Sequence, residues 1–378
     1  MSCLDMKLNA TLTNASALPF AEVDSVLAPG SLMLFEPAHP ANAQTGTALN
    51  PIAYNQGYGN SVVQFPNIAA RPGAVALAAQ TATTWQITGS SGSNGVMTIT
   101  SWGTCPGVHV GDELWNSAGT IMLGTFATGN QATGNPTVTP AQTLASGTYT
   151  VKRGTKPVIL RTDSMNSSGV EVNFGYEWTP KGGLHLASSR TTMTTGLQCM
   201  GVSLPGALKE YLYANPTNKL FMSVWYNLTA PVLSGYTGTT LGLGKNAGSN
   251  YWFAEFGSSI GTMANYAMPV GTRNTVGMHV EQMANPFYGS TALSNSYGDF
   301  LSTLHFGVGA VNGSWGTTYA QNNSASAIIY RVYLEDLTVS GRTYAQVQAK
   351  DNAAYAVAFG AGGRYYGDTY TAPATLMP

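Results

Sequence analysis

The chain has 378 residues, only 9% of them charged, and its 16 basic and 17 acidic side chains leave a net charge of −1. An average soluble domain carries about 25% charged residues, and a balance this sparse and even excludes the basic footprint that nucleic acid requires. Hydrophobic residues make up 44%, which excludes disorder, and 44 Gly, 19 Pro and 20 Tyr point to a turn-rich all-β protein.

The opening MSCLDMKLNATLTNASALPF has no apolar core of signal-peptide length, and no later run reaches the ~20 apolar residues of a membrane span. Synthesis in a reducing cytoplasm without membrane insertion is therefore expected. Cys3, Cys105 and Cys199 lie far apart and form no CxxC pair, so neither a disulfide framework, a metal site nor a cofactor is encoded.

Residues 1–84 carry scattered Pro and Gly with few periodic runs. Such a segment has backbone groups to satisfy and little core of its own. It reads either as an extended anchoring arm or as an irregular layer on the main domain. From 85 to 156 short strands alternate with Gly/Ser/Asn turns. Val96, Thr98 and Thr100 alternate with Met97 and Ile99, and Ile121 and Leu123 with Met122 and Gly124, the two-residue period of a strand. This is a small Gly/Thr-rich β module near the lower size limit for an independent core.

Residues 157–340 hold the clearest strands. In VEVNFGYEW, Val170, Val172, Phe174, Tyr176 and Trp178 share one face, and Glu171, Asn173, Gly175 and Glu177 the other. A one-residue slip would bury two carboxylates, so the register is firmly specified. LFMSVWYNL (220–228), TVGMHVEQM (275–283), TLHFGVGAV (303–311) and AIIYRVYLEDLTV (327–339) repeat the pattern. Strands without long intervening helices predict two antiparallel sheets face to face, with 303–311 and 327–339 adjacent. Two helices are expected. One is over 204–216, with Leu204, Leu208 and Leu212 in line. The other is in the 341–378 tail, from a Ser340 cap to a Gly360 stop, with Tyr344, Val347 and Ala354 toward one face.

Gly313-Ser314-Trp315-Gly316-Thr317-Thr318-Tyr319, the run Tyr330-Arg331-Val332-Tyr333-Leu334-Glu335-Asp336-Leu337 and Ser340-Gly341-Arg342 resemble bacteriophage virion proteins with a concanavalin A-like lectin-fold domain, in which a strand of the form Y-R-x-Y-x-E-x-L leads through S-G-R into a C-terminal helix. Residues 95–151 resemble a Gly/Thr-rich β module of phage tail and appendage proteins. The resemblance covers a little over half the chain. It implies a concanavalin A-like antiparallel β-sandwich (jelly roll) and a component of the virion.

Chemistry is sparse. His39, His109, His185, His279 and His305 show no metal-ligand spacing, and His279 and His305 sit on strands beside core residues, where a structural hydrogen bond or solvent exposure is expected. A glycosidase needs two carboxylates ~5–10 Å apart. Glu171 and Glu177 share a face but stand six residues apart, about 20 Å at strand rise, leaving Glu281 as the outside partner. No catalytic residue is assigned. Sugar sites stack sugar faces on Trp or Tyr and bond hydroxyls with Asn, usually on loops at a sandwich rim. Tyr251 and Trp252 in one segment, and Trp315, Tyr319, Asn322 and Asn323 in another, have that composition. They serve either sugar or contact with a neighbouring subunit.

A surface so poor in Lys and Glu suits a permanently assembled subunit. The expectation is a non-enzymatic virion appendage protein of tail-fibre or head-fibre type, a homotrimer that contacts other virion proteins and host-surface polysaccharide. A capsid decoration protein and a glycan-degrading enzyme of lectin-like fold are the alternatives.

Overall fold

The computed structural model describes residues 24–39, 61–64, 69, 83–162, 174–188, 199–215, 217–231, 241–247, 250–256, 275–284, 287–288, 305–309 and 325–376. In the strands Ser61–Gln64, Leu241–Ala247, Asn250–Phe256, Phe287–Tyr288 and His305–Gly309 the backbone alone is described. Strands in antiparallel sheets dominate, one sheet curls into a half-barrel, and helices are few.

Sheet I is built around the strand Ser326–Asp336, every residue of which is buried. Its path runs Phe174–Trp178, Leu184–Ser188, Ser326–Asp336, Leu220–Ala230, Gly277–Ala284, and Ser31–Phe35 also pairs with Ser326–Asp336. Sheet II orders Phe287–Tyr288, Asn250–Phe256, Leu241–Ala247, His305–Gly309, Cys199–Ser203, Val158–Thr162 and Ser61–Gln64. One apolar core joins the two. Tyr176, Trp178, Leu186, Val224, Tyr226, Ile329, Val332 and Leu334 of sheet I pack with Ile159, Met200 and Val202 of sheet II. The alternation in VEVNFGYEW thus holds where it is described: Tyr176 and Trp178 face the core, and Glu177 does not. Residues 170–173 lie outside the described set.

Segment 1–84 gives a strand to each sheet. Ser31–Phe35 pairs with Val332–Glu335, and Ser61–Gln64 pairs with Val158–Arg161. The module 85–156 forms a six-stranded antiparallel sheet in the order Met97–Ser101, Thr84–Ser91, Leu144–Lys152, Glu113–Trp115, Met122–Phe126, Val138–Thr139, beside a two-stranded one. It has its own core of Ile87, Met97, Cys105, Val108, Leu114, Phe126, Val138, Tyr149 and Val151.

Three sequence expectations need correction. The strands near 303–311 and 327–339 are not adjacent: His305–Gly309 lies in sheet II between Cys199–Ser203 and Leu241–Ala247, whereas Ser326–Asp336 lies in sheet I. Two-residue periodicity identifies a strand, not its partner, and a connection as long as 310–324 can change layers. Second, the chain leaves the strand at Asp336, whose side chain accepts from the Val339 N–H at 3.1 Å and caps a helical turn, Leu337–Ser340, closed by Gly341 at φ 69°. Third, the long helix Tyr344–Phe359 starts from Thr343, not Ser340. Thr343 and Gln346 bond each other's backbone N–H reciprocally, a capping box that Ser340 has no partner to form. Its stop at Gly360 agrees with the sequence reading, as do the buried Val347 and half-buried Tyr344. The short helix Gly206–Ala214 starts after Pro205 and places Leu208 and Leu212 in the shared core, which Leu204 joins from the extended lead-in before it.

Candidate functional site

Of the six residues expected to meet sugar or a neighbouring subunit, Trp315, Tyr319, Asn322 and Asn323 lie outside the described residues. Tyr251 and Trp252 occupy ladder positions in an interior strand of sheet II, not a rim loop: Tyr251 pairs with Asn246 and Tyr288, and Trp252 with Lys245 and Phe287.

Glu177 and Glu281 do not form a hydrolytic pair. Glu281 is buried and pairs with Val224, a residue of the inner face, whereas Glu177 neighbours the inward-facing Tyr176 and Trp178 and turns outward. Two side chains on opposite faces of one sheet cannot flank a single glycosidic bond. Glu171 lies outside the described residues.

His185 is fully buried and joins a chain of polar groups. Its Nδ1 lies 2.8 Å from Glu177 Oε1, its Nε2 2.9 Å from Thr229 Oγ1, and the Tyr370 ring stands edge-on at 5.3 Å. The order acid, imidazole, hydroxyl is that of a nucleophilic triad. Here, however, the Thr371 N–H donates to Glu177 at 2.9 Å and Tyr370 covers the imidazole, so the chain fastens the C-terminal tail to the sheet. Burial alone would raise the Glu177 pKa, but the His185 and Thr371 hydrogen bonds lower it. His279 stacks on Tyr226 at 5.0 Å and its Nε2 bonds the Thr275 carbonyl at 2.8 Å, a structural role of the kind its strand position predicted.

The densest constellation is one that sequence reading did not assemble. The ladder between Leu220–Ala230 and Ser326–Asp336 shifts register at Tyr226, so that Tyr226 opposes Ile329 and Trp225 opposes Arg331. Tyr330 is the extra residue of this bulge. Tyr330 and Arg331 can therefore both turn to the outer face, alongside Tyr333 and Glu335. Arg331, fully buried, holds Asp24 Oδ2 at 2.7 Å and Glu36 Oε2 at 2.8 Å, faces Asp351 at 3.7 Å and lies over the Trp225 ring at 4.5 Å. Asp351, on the long helix, accepts from Ser223, Trp225 and Gln282. Arg364 bonds Glu36 through Nε at 2.5 Å, and Arg342 bonds Glu335 at 2.9 Å and the Val26 carbonyl at 2.5 Å.

Each charge is therefore answered. Burial would raise the Asp24 pKa, but the His39 hydrogen bond and the Arg331 guanidinium hold it far below the carboxylate range, and three acids push the Arg331 pKa up against its own burial. Asp24, Glu36 and His39 place ligand atoms within 4.8 Å of one another, the donor set of a small metal site. Their carboxylates are already spent on Arg331 and Arg364, and a divalent cation would have to displace both guanidiniums. The arrangement locks segment 24–39 and the C-terminal region 337–376 onto the outer face of sheet I. The Y-R-x-Y-x-E pattern is its signature.

Comparison with protein families, with curated proteins and with solved structures returns no match for this chain.

Proposed function

We propose that this chain is a non-enzymatic structural protein of a bacteriophage virion, an appendage subunit of tail-fibre or head-fibre type built on a concanavalin A-like sandwich. The fold reading rests on the virion-protein resemblance together with two antiparallel sheets that share one core. The functional reading rests on where the charge goes. In a chain with 16 basic and 17 acidic residues, Glu36, Asp112, Arg153, Lys209, Glu281, Arg331, Glu335, Asp336 and Asp351 are all buried. Charged residues are almost never fully buried unless paired, and placing them inside leaves the outside poorer still in groups that keep copies apart. Ile121, Val276, Val357 and Tyr366 are exposed on that outside. A surface of this kind mates with identical copies, as a homotrimer, and with neighbouring virion proteins. Its aromatic and Asn-rich segments, Tyr251, Trp252, Trp315, Tyr319, Asn322 and Asn323, meet a neighbouring subunit or host-surface polysaccharide.

A decoration subunit lying flat on the capsid is the second reading, favoured by the two strands that segment 1–84 gives to the body's own sheets. Sedimentation of the purified protein gives the native mass, and microscopy of particles carrying a labelled chain gives its place. A trimer on a projecting fibre supports the first reading, a subunit on the shell face the second. A stable monomer found on no particle would end both.

A further inference from the structure

The last stretch of the chain lies on sheet I without being built into it. Tyr365 is buried against Tyr330 and Phe359, but among the described residues that follow it, 366–376, Pro373 alone is buried. This segment is held down by polar contacts to the hairpin that joins Phe174–Trp178 to Leu184–Ser188. Asp368 accepts from Thr179 Oγ1 at 2.6 Å, the Lys181 N–H at 3.0 Å and the Tyr330 hydroxyl at 3.1 Å. Further on, the Thr371 N–H donates to Glu177 Oε1 at 2.9 Å, and the Tyr370 ring meets the fully buried His185 edge-on at 5.3 Å. Pro373 and the helical turn it opens, Pro373–Leu376, settle beside Leu184–Ser188.

The hairpin side of these contacts is fixed by its own bonds. The Thr179 N–H donates to the Gly183 carbonyl at 2.9 Å and the Gly182 N–H to the Thr179 carbonyl at 2.8 Å. Gly183 sits so close to the strand Ser326–Asp336 that a Cβ there would stand 2.6 Å from Ile328 Cγ2 and 2.7 Å from Tyr330 Cε1. The Gly183 N–H donates to Thr179 Oγ1 at 2.7 Å, which leaves the hydroxyl proton for Asp368. A carboxylate thus meets three donors already in place, and a preformed site binds with little ordering cost. The tail side is the opposite. Gly367 stands at φ 69°, a Cβ there would meet no atom of the described residues within 4 Å, and its turn is tied by the Asp368 N–H to the Tyr365 carbonyl at 3.1 Å. Rotation at Gly367 swings the segment off the sheet, and residues 368–376, fully extended, reach about 30 Å.

These contacts are the same whichever copy supplies the segment. Within one chain the connection at Gly367 holds the tail near the hairpin at an effective concentration in the millimolar range, as a short flexible linker does. A neighbouring copy in a closed assembly presents its own tail at a similar local concentration, and exchange of an identical element between copies is a low-cost route to association. We propose that the 178–184 hairpin, with Glu177 and His185, is a binding site for segment 368–376 of a second copy of this chain, filled by the chain's own segment when a copy stands alone. Its ligand is an acidic, aromatic peptide: a carboxylate for Thr179, Lys181 and Tyr330, a ring for His185, a backbone N–H for Glu177 and a proline for the sheet surface. The Glu36 and Arg331 network reaches as far as Tyr365, whose hydroxyl donates to Glu36 at 3.4 Å, so the exchange leaves that network intact. The inference rests on the reading of this chain as a subunit that mates with its own copies.

Cysteine trapping in the full chain tests it. The Lys181 and Thr369 backbone N–H groups both donate to Asp368 Oδ1 at 3.0 Å and both side chains are exposed, so thiols placed there stand within reach of a short thiol crosslinker and leave those bonds in place. Chains carrying Lys181→Cys alone and Thr369→Cys alone are co-expressed, and linked peptides are identified by mass spectrometry. A 181–369 link then forms only between copies. It is expected in the assembled fraction, and adding Asp368→Asn to the Thr369→Cys chain should reduce it about tenfold. A chain carrying both cysteines measures closure within one copy, and sedimentation of the same samples shows whether copies associate. Associated copies whose tails link only within a chain overturn the inference and leave the assembly reading standing; a monomer overturns the assembly reading and the inference with it. If neither link forms, a labelled peptide of residues 367–376 decides. It should bind the Asp368→Asn chain about tenfold more tightly than the parent, whose own tail fills the site, and equal binding or none overturns the inference.

Discussion

Replacing Arg331 with Met tests whether the outer-face network holds the fold together. Methionine keeps an unbranched stem against Trp225, where the guanidinium now lies 4.5 Å from the ring centre, and removes only the charge and its hydrogen bonds. Two carboxylates, Asp24 at 2.7 Å and Glu36 at 2.8 Å, lose their partner, and Asp351 loses the cation 3.7 Å away. At an effective dielectric of about 20, charges about 4 Å apart interact by about 4 kcal/mol. Relief of the buried guanidinium's own desolvation cancels part of two such terms, leaving an expected loss of about 3–5 kcal/mol, the usual cost of breaking a buried pair. Urea unfolding at pH 7 measures it. The loss should also depend on pH. Asp24 has a folded pKa far below its unfolded value, so its contribution is present above about pH 4 and fades as pH falls toward the folded value. Without Arg331 only the His39 and Val26 hydrogen bonds still lower it against burial, so Asp24 protonates more readily in the folded variant and the gap to the parent protein narrows at pH 3. A loss under about 1 kcal/mol at pH 7, or an equal loss at both pH values, would refute the account.

Removing the capping box with Thr343→Ala should cost about 1 kcal/mol and speed amide exchange in the first turn of the Tyr344–Phe359 helix, leaving its far end unchanged. Asp368 accepts from Thr179 Oγ1 at 2.6 Å, the Lys181 N–H at 3.0 Å and Tyr330 OH at 3.1 Å. Asp368→Asn should therefore loosen the tail by roughly 1–3 kcal/mol, seen as faster exchange around Tyr365–Thr371 with sheet I undisturbed. Gly206→Ala drives a methyl into Arg153, Asp112 and His109. A loss of about 1–3 kcal/mol by thermal or urea unfolding is expected, with peptides around Arg153 and Gly206 more affected than either core.

Period-two alternation made the strands readable, and it did so wherever one face is dry: Tyr176 and Trp178 inward, Glu177 outward. The Leu208, Leu212 spacing likewise revealed the short helix, because i and i+4 positions share a face, while Leu204 precedes the helix and reaches the same core from an extended backbone. Alternation fails at Tyr330 and Arg331, since a bulge lets two consecutive residues share the outer face and a strict period assigns one of them inward. The outer-face network was illegible for a different reason. Asp24, Glu36, Arg331, Asp351 and Arg364 come from distant parts of the chain, and no local pattern reports which strand Ser31–Phe35 will join. The helix cap was within reach: Thr343 with Gln346 three residues on is the capping-box spacing, and Ser340 lacks it.

The pairing of Ser31–Phe35 with the Ser326–Asp336 strand sets a clock on biosynthesis. The Ser31 and Tyr333 hydroxyls bond at 2.8 Å across a separation of 302 residues. At translation rates of about 5–20 residues per second, the run SLMLF emerges from the ribosome and waits about 15–60 s for its partner to be made. Throughout that interval an apolar edge stands open in the nascent polypeptide, so yield during expression should respond to chaperone supply and to slow codons between the two strands.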